Sequence, residues 1–213
     1  MSEKTKLKQY NIKITFLGEA GVGKTNLINV YMNKNFNQNE LTTFDPNQSF
    51  QTLMIDGIKL NINLWDTIGQ EKYRSITKSF IKDSNIIIFV YDITRRFTFL
   101  ELNYWISAVN EELDTNEVIF GVIGNKIDLF EEHYEVDKKE GEKYATKINA
   151  LFCETSAKED ANGFKVFVNK LLKQFISTQK IMDNLKVVKD LSFHLKKPSK
   201  SKSKDNNNCC EKI

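Results

Sequence analysis

The chain has 213 residues, 40% of them hydrophobic and 28% charged, with a formal net charge of +3, which suits one soluble domain with a tail. Nothing in it is long and apolar enough to span a bilayer, and its N-terminus lacks the charged-then-apolar pattern of a secretion signal, so a cytosolic chain is expected. With two histidines and three cysteines, two of them adjacent near the end, histidine-based catalysis and a disulfide framework are both disfavoured. The positive charge concentrates at Lys196, Lys197, Lys200, Lys202 and Lys204; this is a basic tail, not a basic domain, and no nucleic-acid partner is expected.

Residues 1–8 are charged and expected to be flexible. Ile12 to Leu17 alternates polar and apolar β-formers and reads as a strand. It runs into Gly18-Glu19-Ala20-Gly21-Val22-Gly23-Lys24-Thr25, which fits the phosphate-cradling pattern G-x-x-x-x-G-K-[ST]. Asn26 to Met32 then places Leu27, Val30 and Tyr31 on one helical face. Glycines let several backbone N–H groups converge on one anion, and the helix N-terminus adds partial positive charge. Lys24 supplies a point charge for outer phosphates, and the Thr25 hydroxyl suits Mg²⁺.

Residues 34–48 are polar and aperiodic, a loop long enough to be functional. Ser49–Ile55 and Ile58–Trp65 flank Asp56-Gly57, a hairpin signal. The second strand ends in Asp66-Thr67-Ile68-Gly69-Gln70. There a carboxylate could hold a metal-bound water, a Gly69 N–H could reach a terminal phosphate, and Gln70 could orient an attacking water.

Asn85–Tyr91, Val118–Ile123 and Leu151–Cys153 read as further strands, the first two being continuous apolar runs suited to a parallel sheet covered on both faces. Helical patterns lie at Thr98–Leu113, Asp137–Asn149 and Asn162–Ser177. This alternation predicts a doubly wound α/β fold, whose ligands sit at the carboxyl ends of the strands. Each remaining motif begins at such an end. In Gly124-Asn125-Lys126-Ile127-Asp128, the Asp128 carboxylate accepts only, so it suits the N1–H and exocyclic amine of guanine and not the lone pair of adenine. The Lys126 stem could cover the base, and Asn125 could tie this loop to the phosphate loop. In Glu154-Thr155-Ser156-Ala157-Lys158, an N–H of Ala157 or Lys158 could donate to the guanine O6. Beyond Thr178, Met182, Leu185, Val188, Leu191 and Leu195 recur at helical spacing. They suit an extension of the last helix, a short docking helix, or a solvated linker.

Taken together, Gly18–Thr25, Asp66–Gln70, Asn125–Asp128 and Ser156–Lys158 resemble the Ras superfamily of small GTPases over roughly Lys8 to Ser177. The resemblance implies a mostly parallel six-stranded sheet with one antiparallel strand, GTP/GDP and Mg²⁺ as ligands, and slow hydrolysis. It makes Gln70 and Lys24 catalytic. It places Phe36 against guanine, and Thr25, Thr43 and Asp66 around the metal. Residues 9–177 would form the GTPase domain and 178–213 a variable basic tail. Lys72–Thr77 and Phe89–Thr94 resemble the Rab branch, as do Cys209 and Cys210, which match paired prenylation cysteines. Two lipid chains anchor where one binds only marginally. A monomer follows from this resemblance, lipid-anchored on the cytoplasmic face of intracellular membranes with a cytosolic pool. Its partners would be an exchange factor, an activating protein that supplies an arginine finger, a GDP-dissociation inhibitor or prenylation escort, and effectors.

The chain departs from Rab at Phe44-Asp45-Pro46-Asn47-Gln48, where Thr-x-Phe-Asp also resembles Rho. Gln48 replaces an aromatic of the Rab effector surface, of which Trp65 and Phe80 keep the apolar character. Ile68 stands where the family has alanine, and its bulk beside Gly69 predicts an abnormal exchange or hydrolysis rate. A vesicle-traffic switch is thus the leading reading. A poorly hydrolysing membrane-tethered adaptor and a Rho- or Ras-like signalling GTPase are alternatives, and a P-loop kinase is disfavoured by Asn125–Asp128. Ala20 stands where any side chain crowds the approach to the γ-phosphate, so Ala20→Gly is expected to raise single-turnover GTP hydrolysis; an unchanged rate would contradict the crowding.

Overall fold

A computed structural model of the chain describes residues 8–38, 47–67, 79–129 and 134–195, with side chains described to Ile181. Thr43, Ile68, Gly69, Gln70, Cys209 and Cys210 lie outside the described residues. The elements are β1 (Gln9–Leu17), α1 (Lys24–Tyr31), β2 (Asn47–Ile55), β3 (Ile58–Asp66), β4 (Ile86–Asp92), α2 (Arg96–Leu100), α3 (Leu102–Glu112), β5 (Ile119–Asn125), α4 (Lys138–Lys147), β6 (Leu151–Thr155) and α5 (Ala161–Leu195).

Among the described residues the strands form one six-stranded sheet in the order β2-β3-β1-β4-β5-β6. The β2–β3 pair is antiparallel, and every other neighbouring pair is parallel. The hairpin signal at Asp56-Gly57 is met by a turn with positive φ at both residues, 49° and 75°, the twist that two-residue hairpins favour. The strand order reverses between β1 and β4, and this switch point opens a crevice at their carboxyl ends. Both phosphate-loop and β4-end residues are delivered there.

Two apolar layers enclose the sheet. One packs Ile12, Ile14, Leu60, Ile62 and Leu64 against Leu27, Phe164, Val168 and Leu171; the other packs Ile87, Phe89 and Val122 against Leu102, Trp105 and Val109. In β3 every second residue is buried, from Ile58 to Asp66. In β4 and β5 every residue is buried, as their unbroken apolar runs require of central strands.

Two helices differ from the expected ones by more than a shift of a residue or two at their ends. The pattern at Thr98–Leu113 resolves into α2 and α3 joined at Glu101. The last helix continues beyond Ser177 to Leu195, the extension among the three readings of that stretch. The chain divides into two compact units, Met1–Ile176 and Ser177–Ile213; the sheet and both apolar layers belong to the first.

Trp65 and Phe80 lie with ring centroids 5.5 Å apart, and the Lys13 ammonium stands 4.6 Å over the Trp65 ring. Gln48 sits opposite Trp65 in the β2–β3 ladder, and its Oε1 accepts from Asn63 Nδ2 at 3.4 Å. The missing aromatic is therefore replaced by an amide that bonds along the sheet.

Helix α4 passes close to β4 and β6. A Cβ on Gly141 would lie 2.5 Å from the Tyr91 hydroxyl and 2.6 Å from the Phe152 ring. Tyr91 is fully buried and cannot swing away. Gly141→Ala gains helix propensity worth up to about 1 kcal/mol but overpacks a rigid site by more. We expect a net destabilisation of about 1–2 kcal/mol in chemical denaturation, and a variant as stable as the parent would show that α4 yields.

Candidate functional site

The phosphate loop leaves β1 at Leu17 and is pressed at once onto the sheet centre. Gly18 has φ +146°, and a Cβ there would lie 2.1 Å from the Val90 carbonyl oxygen. At the other end Gly23 is left-handed at φ +97°, and its Cβ would stand 2.3 Å from Asn125 Nδ2. Only glycine fits either place, by backbone shape and by space alike. Between them Val22 is fully buried and Ala20 partly so. The loop then feeds α1, whose N-terminus adds partial positive charge where the motif's N–H groups converge.

Lys24, the first residue of α1, is buried and folds back over the loop. Its ammonium donates to the carbonyls of Gly18 at 2.8 Å and Glu19 at 3.0 Å. Burial pushes its pKa down to about 8, against the pull of the Asp66 and Glu19 charges. A buried cation held mainly by neutral carbonyls favours an arriving anion. Thr25 Oγ1 donates to Asp66 Oδ2 at 2.6 Å. Asp66 is buried at the end of β3, and the next residue is anchored by a bond of 2.6 Å from Thr67 Oγ1 to the Phe16 carbonyl. Hydroxyl and carboxylate thus meet beside the buried ammonium, a hard-oxygen pair that suits Mg²⁺ with phosphates.

The base loop leaves β5 at Asn125, which is almost wholly buried. Its Nδ2 donates to the Val22 carbonyl at 2.8 Å, and its Oδ1 accepts from the Ala157 N–H at 3.2 Å. One side chain therefore joins three loops. Ser156 Oγ donates to Asp128 Oδ1 at 2.6 Å and accepts from the N–H groups of Lys158 and Glu159 at 3.1 and 3.0 Å. The Asp128 carboxylate is oriented by the loop after β6. The N–H groups of Ala157 and Lys158, two candidates for a base contact, are engaged with Asn125 and Ser156 respectively.

The Asn26 side chain bonds to the segment after α1, exchanging two hydrogen bonds of 3.0 Å with the backbone of Asn37. Phe36, one residue earlier, is half-buried against the first apolar layer.

Asp92 was not foreseen as a site residue. Its carboxylate is nearly inaccessible and fully occupied: Oδ1 accepts the Thr94 N–H at 3.0 Å and hydroxyl at 2.7 Å, while Oδ2 pairs with Arg95 Nε at 3.1 Å and Lys126 Nζ at 2.7 Å. Burial alone would raise its pKa; the bonds from Lys126 and Thr94 outweigh that and hold it below the usual value. The available signal was Asp-x-Thr directly after an apolar strand, the pattern of an Asx turn.

The crevice therefore carries a phosphate loop, a hard-oxygen pair and an oriented acceptor carboxylate, with Asn125 tying the phosphate loop to the base loop and to the loop after β6. A model of the Ras family matches residues 13–177. The chain belongs to the Ras family. It is a GTPase of Rab-like type. It is 34% identical over 167 residues to the zebrafish (Danio rerio) Ras-related protein Rab-18-B, an alignment covering 78% of this chain and 80% of that protein. It is 35% identical over 179 residues to Ras-related protein Rab-21 of both dog (Canis lupus familiaris) and human, covering 84% of this chain and 79% and 78% of theirs. The Ras-family match begins at Lys13, inside β1, and ends at Ser177, inside α5.

The Asn125 knot has a direct consequence. Asn125→Asp keeps the shape but sets a carboxylate oxygen against the Val22 carbonyl. Losing a buried donor costs about 1–3 kcal/mol, and repulsion adds to it. We expect a loss of about 2–4 kcal/mol in unfolding free energy, read as a lower denaturant midpoint at unchanged slope; a loss under about 0.5 kcal/mol would mean that the three loops are held together otherwise.

Proposed function

We propose that this GTPase is a Rab-type switch, cycling between GTP and GDP states and regulating vesicle traffic from a lipid-anchored position on intracellular membranes. The observation that carries the nucleotide half is the Asn125 junction, which brings the phosphate loop and the acceptor carboxylate of Asp128 into one site. In this reading Gly18, Glu19, Ala20, Gly21, Val22 and Gly23 wrap the phosphates. Lys24 faces the outer ones, and Thr25 and Asn26 continue the nucleotide-binding run. Phe36, Asn125, Lys126, Asp128, Ser156, Ala157 and Lys158 surround guanine.

The oxygens of Thr25 and Asp66 fit Mg²⁺, and Thr43 would complete the set; the ion supplies neutralisation of phosphate charge. Hydrolysis is attack by water on the γ-phosphate. Gln70 orients that water, Gly69 donates its N–H to the γ-phosphate, and Lys24 with the loop N–H groups stabilises the charge that develops. None of the chain's arginines stands as a finger in this reading, so an activating protein supplies one, worth roughly 10³–10⁵ in rate. An exchange factor resets the switch, effectors read it, and a GDP-dissociation inhibitor or prenylation escort carries the lipidated chain.

The trafficking half rests on the likeness to Rab-18 and Rab-21 and on Cys209 and Cys210 behind a basic segment. Residues 9–177 serve as the GTPase domain and 178–213 as the membrane-directed tail. No helix among the described residues is long and apolar enough to cross a membrane, so a lipid would supply the anchor.

The test is nucleotide content of the purified protein, followed by single-turnover GTP hydrolysis with and without candidate activating proteins. Bound guanine nucleotide and activated hydrolysis are expected, with Gln70→Leu retaining GTP. Turnover below detection in the native chain under every activator would favour the tethered adaptor, and activated hydrolysis at the native rate in Gln70→Leu would remove that residue from the mechanism.

A further inference from the structure

Arg95 stands just beyond β4 and touches the phosphate loop from outside. Its Nη2 donates to the Ala20 carbonyl at 2.9 Å, and its Nε donates to Asp92 Oδ2 at 3.1 Å. Asp92 Oδ2 also holds Lys126 Nζ at 2.7 Å. A continuous chain of charge-assisted bonds therefore runs from the base loop through Asp92 and Arg95 to residue 20. The backbone that launches Arg95 is fixed on both sides. Its N–H donates to the Asp92 carbonyl at 3.0 Å, and its carbonyl accepts from Thr98 Oγ1 at 2.7 Å. Arginine suits this task because its planar fork offers donors in two directions at once, which lysine does not.

The bond to Ala20 has a consequence for the peptide that it grips. In a trans peptide the C=O and the following N–H point in opposite directions. Holding the Ala20 carbonyl toward Arg95 turns the Gly21 N–H to the opposite side of that peptide, away from Arg95. Gly21 itself is left-handed at φ +73°, and a Cβ there would meet only Arg95 Nη2 within 4 Å, at 3.6 Å, so Arg95 is the group packed against this residue.

We propose that Arg95 is a positioning residue for nucleotide binding: by gripping the Ala20 carbonyl it fixes the orientation of the Gly21 N–H and links the base loop to the phosphate loop. The proposal rests on the guanine-nucleotide reading of the site. It requires that loss of Arg95 speed nucleotide release and that a lysine not restore it. The neighbouring Arg96 provides the control. It makes a tighter ion pair, 2.6 Å to Glu140 Oε1, and bonds the Glu135 carbonyl at 3.2 Å. It staples α2 to α4, and among the described residues its side-chain partners are Glu135 and Glu140, neither of them in a nucleotide loop.

The experiment measures release of a fluorescent N-methylanthraniloyl-GDP from the full chain, chased with excess GDP. The native protein, Arg95→Ala, Arg95→Lys and Arg96→Ala are compared at one salt and Mg²⁺ concentration. Arg95→Ala is expected to release roughly five- to tenfold faster, the scale of one bond from a charged donor on a half-exposed side chain. Arg95→Lys should keep most of that acceleration, and Arg96→Ala should stay within twofold of native. Native-rate release from Arg95→Ala would overturn the proposal. So would full rescue by lysine, which would reduce the role to bare charge, or an Arg96→Ala rate equal to that of Arg95→Ala, which would reduce it to stapling of α2. Failure of the native chain to retain the nucleotide would instead overturn the guanine-nucleotide reading itself.

Discussion

The site depends on how closely the phosphate loop lies on the ends of the central strands. Gly18 meets the backbone of β4 at Val90, and Gly23 meets the side chain of Asn125 at the end of β5, both at distances that leave no room for a Cβ. These two contacts seat the loop over the switch point of the sheet, between β1 and β4, where the strand order reverses. Everything that the loop offers follows from that seating. Lys24 is buried because the loop it folds over is itself pinned to the sheet, and α1 begins where its N-terminus faces the same space. Val22 supplies both a buried side chain beneath the loop and the carbonyl that Asn125 grips.

Two buried charges sit on either side of this loop and are handled in opposite ways. The Asp92 carboxylate is saturated with donors from Thr94, Arg95 and Lys126, and it stays ionised in spite of burial. The Lys24 ammonium has neutral carbonyls within bonding distance and carboxylates that act on it through space, so burial lowers its pKa. The first arrangement is what a structural charge needs; the second is what suits an ammonium that an anion completes. Both charges lie within one domain core, so the difference reflects the partners that the fold places around each and not depth alone.

The base side of the site is built from residues far apart in sequence. Asn125 bonds Val22 from a separation of 103 residues, and Ser156 bonds Asp128 from one of 28. The parallel register of β4, β5 and β6 makes this possible, since it sets Asp92 beside Asn125 and Asn125 beside Thr155 at one edge of the sheet. Motifs that follow three different strands thereby converge without any local signal that they should.

The sequence by itself determined the elements and the chemical types. A glycine-rich loop between an alternating strand and an amphipathic helix, unbroken apolar runs, and Asp-Gly between two strands are local patterns, and each is governed by backbone sterics or by burial period, which act over a few residues. It also marked Asn125 as the tie between loops, because an amide that carries donor and acceptor suits that task. Tertiary structure alone decided which partners those residues take. Asn26 belongs to a helix beside the loop, yet its amide braces Asn37; the Ala157 N–H turns to Asn125; and Arg95, which no sequence motif singles out, reaches Ala20 across 75 residues. Such contacts depend on strand order and on the direction in which each chain leaves the sheet. Neither is written in a window of neighbouring residues, and both follow only once the β1–β4 switch point exists.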